Sequence, residues 1–214
     1  MNAGTKQDDL TSGNACWETP PLVFEKLNED FGPFDLDLTA DYARALRRKH
    51  FGPQSELGLD ALTVDWMAHG KTGYSNPPYG PFVQLLLEKA LREARFGFSS
   101  TLLLPMRVTA AFKRCVLKNG GHVGASDLLF CDSRITFFEN GLPRLNEKNF
   151  IEKGRAVGDP AMFDSIIVRY TPNATRLNVD TWKVPMHVTS EDLRKAFLRR
   201  SALRMSADAV GSRR

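Results

Sequence analysis

The chain has 214 residues, of which 42% are hydrophobic, and its 29 lysines and arginines outnumber 25 acidic residues to give a net charge of +4. This composition suffices for one globular domain with a sizeable core and argues against two full domains, and the basic charge permits a polyanionic partner without requiring one. No stretch approaches the roughly 20 apolar residues of a membrane span, and the polar start of the chain lacks a signal-peptide apolar region, so we expect a cytoplasmic protein.

Helical and strand-like segments alternate along the first part of the chain. Thr19 precedes Pro20-Pro21 and is predicted to cap a helix, whose apolar residues recur at helical spacing as far as Gly32-Pro33. Residues 34–38 then form a short predicted strand. A second amphipathic run, residues 41–51, predicts another helix that Gly52-Pro53 ends.

The alternation continues towards the C-terminus. A predicted strand over Thr72–Ser75 leads into Asn76-Pro77-Pro78-Tyr79, and Pro81 opens a long apolar helix that ends near Gly97. The later predicted elements are a strand over 98–104 stopped by Pro105, a helix over 110–118, strands over 127–131, 135–138 and 162–170, and a final helix capped by Thr189 or Ser190.

This order of elements predicts an α/β domain with a largely parallel sheet. Strands separated by helices pair in parallel, whereas the late strands, which no helix separates, suggest an antiparallel pair added at one edge. We expect the domain to cover residues 15–205, between a frayed N-terminus (1–14) and a basic tail (206–214). Such sheets bind ligands at the carboxyl ends of their strands.

The segment Asn76-Pro77-Pro78-Tyr79 has the composition of a rigid acceptor site. Its two prolines fix the backbone and lack N–H donors, so we expect unpaired carbonyls there. The side-chain oxygen of Asn76 and the carbonyl of Pro77 can accept both protons of a planar amine, and Tyr79 offers a flat face for stacking. Two fixed acceptors favour localisation of the amine's lone pair and stabilise the cation that develops during attack on a methyl sulfonium. A plain tight loop is the competing interpretation.

With this segment, the chain resembles the phage-type DNA adenine methyltransferases, which belong to the wider class I S-adenosylmethionine-dependent fold. The resemblance covers roughly residues 15–170. The motifs that carry it are Trp17-x-Thr19-Pro20, the paired acids Asp35 and Asp37, Asp60-x-Leu62 followed by Trp66, Asn76-Pro77-Pro78-Tyr79, Leu103-Leu104-Pro105, and Arg134-Ile135-x-Phe137. Each piece is weak alone, but their order and spacing are specific.

The resemblance implies a Rossmann-like sheet with helices on both faces, S-adenosylmethionine as cofactor, and duplex DNA as substrate in a bacterial or phage-infected cell. Thr19 and Pro20 would flank the cofactor's methionine, Asp37 would lie near its amino group, and Asp60 would bind its ribose or adenine. One departure is that no Gly-x-Gly follows Asp37. The residues assigned to the cofactor are Trp17, Thr19, Pro20, Asp35, Asp37, Asp60, Leu62 and Asn76, and those assigned to catalysis are Asn76, Pro77, Pro78 and Tyr79.

Basic residues provide candidates for DNA contact. The polar segment over residues 140–160 is punctuated by Gly and Pro, and a loop of this length is usually functional or disordered. The residues expected to meet DNA phosphates are Arg134, Arg144, Lys148, Lys153 and Arg155. In the final helix Arg194, Lys195, Arg199, Arg200 and Arg204 spread over several faces, which suits a solvated helix as well as a DNA contact.

Three alternatives remain open at this stage. The acceptor segment also suits a base in RNA or the side-chain amide of a protein glutamine, and the chain could be an inactive nucleic-acid-binding module of the same fold. The sequence does not reveal which bases surround the target. Cys16, Cys115 and Cys131 are scattered without metal-ligand spacing, so we expect reduced thiols and no metal.

Overall fold

Helices and strands alternate in the computed structural model, which describes residues 17–40, 45–52, 55, 57, 60–117, 124–146 and 158–211, with side chains as far as residue 202. The helices are α1 (Pro21–Phe31), α2 (Pro81–Arg95), α3 (Ala110–Cys115) and α4 (Ser190–Gly211), with a 3-10 helix over Trp66–Ala68. The strands are β1 (Leu36–Asp37), β2 (Thr72–Ser75), β3 (Ser99–Pro105), β4 (Asp127–Cys131), β5 (Phe138–Glu139), β6 (Leu142–Pro143), β7 (Ser165–Tyr170) and β8 (Asn178–Trp182).

Six strands form one mostly parallel sheet in the order β1-β2-β3-β7-β4-β8, and β5 and β6 form a separate antiparallel hairpin. Strand β7 runs antiparallel to both β3 and β4. The predicted antiparallel edge is therefore wrong, because the antiparallel strand lies inside the sheet. Its residues are buried except for the half-buried Arg169, whereas the exposed β8 forms the edge. Because no helix precedes β7, the sequence indicates that β7 runs antiparallel to its partners. The sequence does not indicate which strands those partners are.

The sheet separates two hydrophobic cores because successive side chains of a strand point to opposite faces. Leu102 and Leu104 of β3 pack with helices α2 and α3 on one face. Leu103 and Ile167 point to the other face, where they pack with Val23 and Leu27 of α1. Helices thus cover both faces, as the resemblance implied.

The amphipathic run over residues 41–51 does not form the predicted helix in its described part. Residues 49–51 run alongside β1, where Asp37 donates its backbone N–H to the Lys49 carbonyl and Phe51 donates to the Asp37 carbonyl. Phe51 is fully buried in this extended backbone. Tertiary pairing therefore overrides the local helical pattern, and residues 41–44 lie outside the described part.

Candidate active site

The acceptor segment lies at the carboxyl edge of the sheet, directly after β2 and before α2. Strand β2 pairs in parallel with both β1 and β3, so the carboxyl ends of the three strands lie together at this edge. The hydroxyls of Thr39, just past β1, and Ser75, the last residue of β2, form a hydrogen bond. The segment therefore leaves the sheet where a parallel α/β sheet binds its ligands.

The side-chain amide of Asn76 is held at both of its polar atoms. Its Nδ2 donates to the backbone carbonyl of Trp17 at 2.9 Å, and its Oδ1 accepts from the Tyr79 hydroxyl at 3.2 Å. Pro77 beside it is buried, and no N–H group in the described part of the chain donates to its carbonyl. Asn76 and Pro77 thus present two acceptor oxygens from a stiff backbone.

Three aromatic rings, those of Trp17, Phe137 and Phe163, lie around Tyr79 of this segment. Trp17 stacks on Phe137 with ring centroids 5.5 Å apart and on Phe163 at 5.4 Å. Tyr79 meets Trp17, Phe137 and Phe163 edge to face, with its centroid 5.3 Å from that of Phe163. Burial raises the pKa of Tyr79, so its hydroxyl remains neutral and can donate to Asn76. The sequence analysis assigned Trp17 to the cofactor and Phe137 to a family motif, but it did not predict that either residue contacts Tyr79, and it gave Phe163 no role.

The hairpin of β5 and β6 fixes the chain at Trp17. Glu18 and Phe138 exchange two backbone hydrogen bonds of 2.9 Å, which places the chain at Glu18, the residue after Trp17, alongside β5. The Glu18 carboxylate also accepts the N–H groups of Asn140 at 2.9 Å and Gly141 at 2.8 Å. We did not predict this hairpin, although Asn140-Gly141, with φ of 53° and 76°, is a strong sequence signal for a two-residue turn.

Asp37 places a buried carboxylate at the carboxyl edge of the sheet. Its side-chain oxygens accept the N–H groups of Leu46 at 3.0 Å and Thr39 at 3.4 Å. Burial raises its pKa to about 6, although these hydrogen bonds act in the opposite direction. Because Leu38 donates its backbone N–H to the Tyr74 carbonyl, Asp37 lies beside the strand that leads to Asn76.

Thr19 and Pro20 follow Trp17 and Glu18, and the backbone carbonyl of Trp17 accepts a hydrogen bond from Asn76. The predicted capping role of Thr19 is wrong, because Pro20 occupies the N-cap position of α1 without a side-chain hydrogen bond. The Thr19 hydroxyl instead forms a buried hydrogen bond of 2.7 Å with that of Tyr74. Thr19 therefore connects the start of α1 to β2.

The other two predicted cofactor acids, Asp35 and Asp60, share no hydrogen bond with Asn76 in the described part of the chain. Asp35 lies at the amino edge of the sheet, where its carboxylate accepts the N–H groups of Lys71 at 2.7 Å and Thr72 at 3.2 Å. The Lys71 hydrogen bond is the largest cause of its lowered pKa. Asp60 is exposed and accepts the N–H of Leu62 at 2.9 Å, which stabilises a turn, while Leu62 packs against the core.

A comparison with protein-family models matches residues 6–157 to the family described as DNA N-6-adenine-methyltransferase (Dam). The match spans the acceptor segment, Trp17 and the hairpin. The chain belongs to this family. The methyltransferase therefore modifies the N6 amine of adenine in DNA. A search of curated proteins finds no match to the methyltransferase.

Two of the methyltransferase's predicted DNA-contacting arginines lie in its described part. The Arg144 guanidinium lies 4.7 Å from the centroid of the Trp17 ring and 4.0 Å from the Asp159 carboxylate. Arg134 is exposed and donates to Asp164 at 3.2 Å. Lys148, Lys153 and Arg155 lie outside the described residues.

The final helix begins as predicted. Thr189 accepts the N–H of Asp192 through its hydroxyl, and Asp192 accepts the N–H of Thr189 at 3.0 Å, which is a capping box.

In the described part of the methyltransferase no cluster of His, Cys, Asp and Glu could hold a metal ion. No helix in that part is both long and apolar enough to cross a membrane.

Proposed function

We propose that the methyltransferase transfers a methyl group from S-adenosylmethionine directly to the N6 amine of an adenine that has left a DNA duplex. The hydrogen-bonded Asn76 amide is the single observation that supports this proposal most strongly. The mostly parallel sheet, with helices on both faces and polar residues at its carboxyl edge, supports assignment to the class I methyltransferase fold.

The amine of adenine is a weak nucleophile because its lone pair is delocalised into the ring. Asn76 Oδ1 and the Pro77 carbonyl would accept its two N–H protons, which favours localisation of the lone pair on nitrogen. The same two oxygens would stabilise the positive charge that develops on nitrogen as the new bond forms. Because Asn76 Nδ2 is already committed to the Trp17 carbonyl, the amide presents its oxygen, rather than its nitrogen, to the substrate.

The transfer needs no enzyme nucleophile. S-adenosylmethionine, when bound, would supply a methyl group on its sulfonium sulfur, and that sulfur would keep the electron pair of the broken C–S bond. The nitrogen lone pair forms the new N–C bond, and the surplus N6 proton then passes to solvent. Burial raises the pKa of the Cys131 thiol to about 12, so this thiol is protonated at neutral pH and does not compete as a nucleophile.

The residues at the carboxyl edge fit the cofactor's polar groups. A buried carboxylate with a raised pKa gains stability from a cation beside it, and Asp37 would take the amino group of the cofactor's methionine. Thr19 and Pro20 would lie beside that methionine. Asp35 is left out of the proposed site because it lies at the opposite edge, and Asp60 with Leu62 is kept for the ribose or adenine.

An adenine that is paired and stacked inside a duplex cannot reach the half-buried Asn76 and the buried Pro77 at the carboxyl edge of the sheet. The enzyme must therefore extrude the target nucleotide, and unstacking costs a few kcal/mol that contacts to the flipped base offset. Tyr79 is the proposed stacking partner. Its hydroxyl now donates to Asn76 Oδ1, and that oxygen has a second lone pair for the substrate amine.

The test is to identify the methylated product. We expect incubation with duplex DNA and isotope-labelled S-adenosylmethionine, followed by nucleoside digestion and mass spectrometry, to yield N6-methyldeoxyadenosine. Parallel reactions with RNA and with protein distinguish the alternatives, since label in methylated RNA bases alone, or in methylglutamine, would overturn the proposal. An Asn76→Ala variant serves as the inactive control, and Asn178→Ala, which changes an exposed residue at the amino end of β8, as the active one.

A further inference from the structure

A polar cavity of about 350 Å³ lies where helix α4 meets the hairpin of β5 and β6. Three arginines are among the residues that line it, Arg144 beside the hairpin and Arg199 and Arg200 on the helix, together with the acidic Glu139. Positive charge therefore exceeds negative charge in the cavity wall. We name this feature the arginine cavity.

The contact between helix and hairpin gives the arginine cavity its shape. Arg199 donates to the backbone carbonyl of Asn140, in the hairpin turn, at 3.0 Å. Ala196, one turn earlier on the helix, is buried and also lines the cavity. The guanidinium of Arg144 lies against the Trp17 ring. Both walls are thus held in place by contacts of their own.

The chemistry of the arginine cavity fits a phosphate group. Arginine presents several N–H donors in a planar fork that matches phosphate oxygens, and paired arginines bind phosphate more strongly than a single one. The cavity is more polar than a typical small-molecule pocket, and its net positive charge selects an anion. Helix α4 lies outside residues 6–157, so the family match does not assign it a role.

We propose that the arginine cavity binds backbone phosphates of the DNA duplex, so that α4 and the hairpin together hold DNA beside the catalytic segment. This inference rests on the proposed function, in which the substrate is duplex DNA. It assigns the C-terminal helix to substrate binding. The sequence pattern of this helix alone is equally consistent with a solvated surface.

A short series of contacts joins the arginine cavity to the active site. Arg144 lines the cavity, and its guanidinium lies over the Trp17 ring. The Trp17 backbone carbonyl accepts a hydrogen bond from the side-chain amide of Asn76. Glu18, the next residue, pairs with the hairpin that forms one cavity wall. A phosphate bound there would therefore lie close to the point where the extruded adenine enters, which is the position a DNA-binding surface requires.

The test compares the salt dependence of DNA binding by three proteins. One is the wild type, one carries Arg199→Ala and Arg200→Ala, and the third carries Arg92→Ala and Arg176→Ala. The control removes the same charge from two exposed arginines at the amino edge of the sheet, opposite the active site. Each lost phosphate contact flattens the slope of log affinity against log salt by about 0.9.

We expect the cavity variant to bind a short duplex at least tenfold more weakly at low salt, with a slope about one to two units flatter than that of the wild type. The control variant should give a line close to that of the wild type. Parallel lines for the cavity variant and the wild type would overturn the inference, as would an equal loss of slope in the control variant.

A lysine variant separates charge from structure. Arg199→Lys with Arg200→Lys keeps both charges but changes the forked donors, so its slope should stay near that of the wild type. A folded lysine variant with the flattened slope of the alanine variant would mean that displacement of α4 causes the loss. The proposed function fails in a different way, because the wild type would then not methylate adenine in duplex DNA at all.

Discussion

At the scale of the residue, the side-chain amide of Asn76, the proposed acceptor of the adenine amine, is held in place by hydrogen bonds within the protein. Its amide nitrogen is bound by the Trp17 carbonyl and its oxygen faces the Tyr79 hydroxyl, so little rearrangement is needed when an amine arrives. Groups that are fixed before reaction stabilise a developing charge without a cost of reorganisation. The contribution of Asn76 should therefore lie in the transition state rather than in cofactor binding.

Replacing Asn76 by alanine should lower kcat by about 10² or more, on the scale observed when one preorganised polar group is removed. We expect the affinity for S-adenosylmethionine to stay within a few-fold of the wild-type value. Single-turnover methylation of a duplex and calorimetric titration of the cofactor measure the two effects separately. Turnover near the wild-type rate in a folded Asn76→Ala protein would contradict the assigned role.

The sequence predicts which residue stands at the acceptor position because that signal is local. A strand pattern, Asn-Pro-Pro-Tyr and a helix that starts at Pro81 are all contained in residues 72–95, and the structure confirms their order. The bond from Asn76 to Trp17 spans 59 positions, and no local pattern encodes it. Period-two alternation placed Asp35 and Asp37 on one face, but it cannot show that Asp35 lies at the wrong end of the strand.

At the scale of the element, helix α2 begins at a backbone conformation that depends on glycine. Gly80 has φ of 137° and ψ of −149° at the N-cap position. This region of backbone space is essentially restricted to glycine. No atom lies within 4 Å of the place where a Cβ would be added, so a substitution there would act through the backbone alone. Gly80 thus permits the sharp connection from Tyr79 into α2.

Gly80→Ala should destabilise the protein by about 1 to 3 kcal/mol through backbone strain, and it should also lower kcat because Tyr79 is the preceding residue. The matched control is Gly97→Ala, since Gly97 also has a positive φ, of 104°, but lies at the far end of α2. We expect the control to lose stability while it keeps its kcat. Equal kcat values for both variants would show that the loop tolerates the strain.

Helix α2 carries a buried ion pair whose two members also hydrogen-bond to the backbone around the neighbouring 3-10 helix. Lys89 Nζ lies 2.6 Å from Glu93 Oε1, and both side chains are 4% exposed. Lys89 also donates to the Val64 carbonyl, and Glu93 accepts the Trp66 N–H at 3.2 Å. The pair therefore fixes the segment that carries the fully buried Trp66.

Removing one member of this pair should be more damaging than replacing both. Glu93→Ala leaves a buried ammonium without its carboxylate and should cost about 3 to 5 kcal/mol of unfolding free energy, whereas Lys89→Met with Glu93→Leu should cost much less. Urea unfolding of the two variants measures this difference. A double variant that is as unstable as Glu93→Ala would mean that the hydrogen bonds to Val64 and Trp66, and not the charge, account for the loss.

Elements with strong local signals are predicted well, and those set by tertiary pairing are not. Helix α2 matches its prediction because Pro81 and the apolar spacing define it, and β4 matches at both ends. Strand β8 was missed because its outward residues are polar and four of its five positions are exposed. Residues 45–51 carry basic residues with high helix propensity, yet the backbone bonds to Asp37 hold residues 49–51 extended.

At the scale of the whole molecule, the sheet brings the proposed cofactor and substrate residues to one edge. Parallel pairing of β1, β2 and β3 gathers Asp37 and Asn76 there, and the hairpin adds Trp17 from outside the sheet. These contacts join α1, the sheet and the hairpin. A cofactor bound at this edge should therefore stabilise the folded chain as a whole, in proportion to its concentration relative to Kd.

The stabilisation by S-adenosylmethionine should depend on pH through Asp37. Its pKa in the folded free protein is about 6, above the usual 3.8, so the free protein loses the stability contributed by the protonated form as pH rises through about 6. The bound cofactor's ammonium requires the carboxylate. Cofactor affinity should therefore be full above pH 6 and should fall about tenfold for each pH unit below it.

Thermal unfolding of the free and cofactor-saturated protein measures both effects. At 100 times Kd the cofactor adds about 2.7 kcal/mol, which for a chain of this length raises Tm by about 5 to 11 °C at neutral pH. At pH 5 and the same cofactor concentration, we expect roughly half of that rise, because affinity is tenfold lower. Asp37→Asn keeps an acceptor for the backbone N–H groups but cannot ionise, so its smaller rise should not change between the two pH values. A rise in Asp37→Asn that equals the wild-type rise at neutral pH would show that the cofactor's amino group is bound elsewhere.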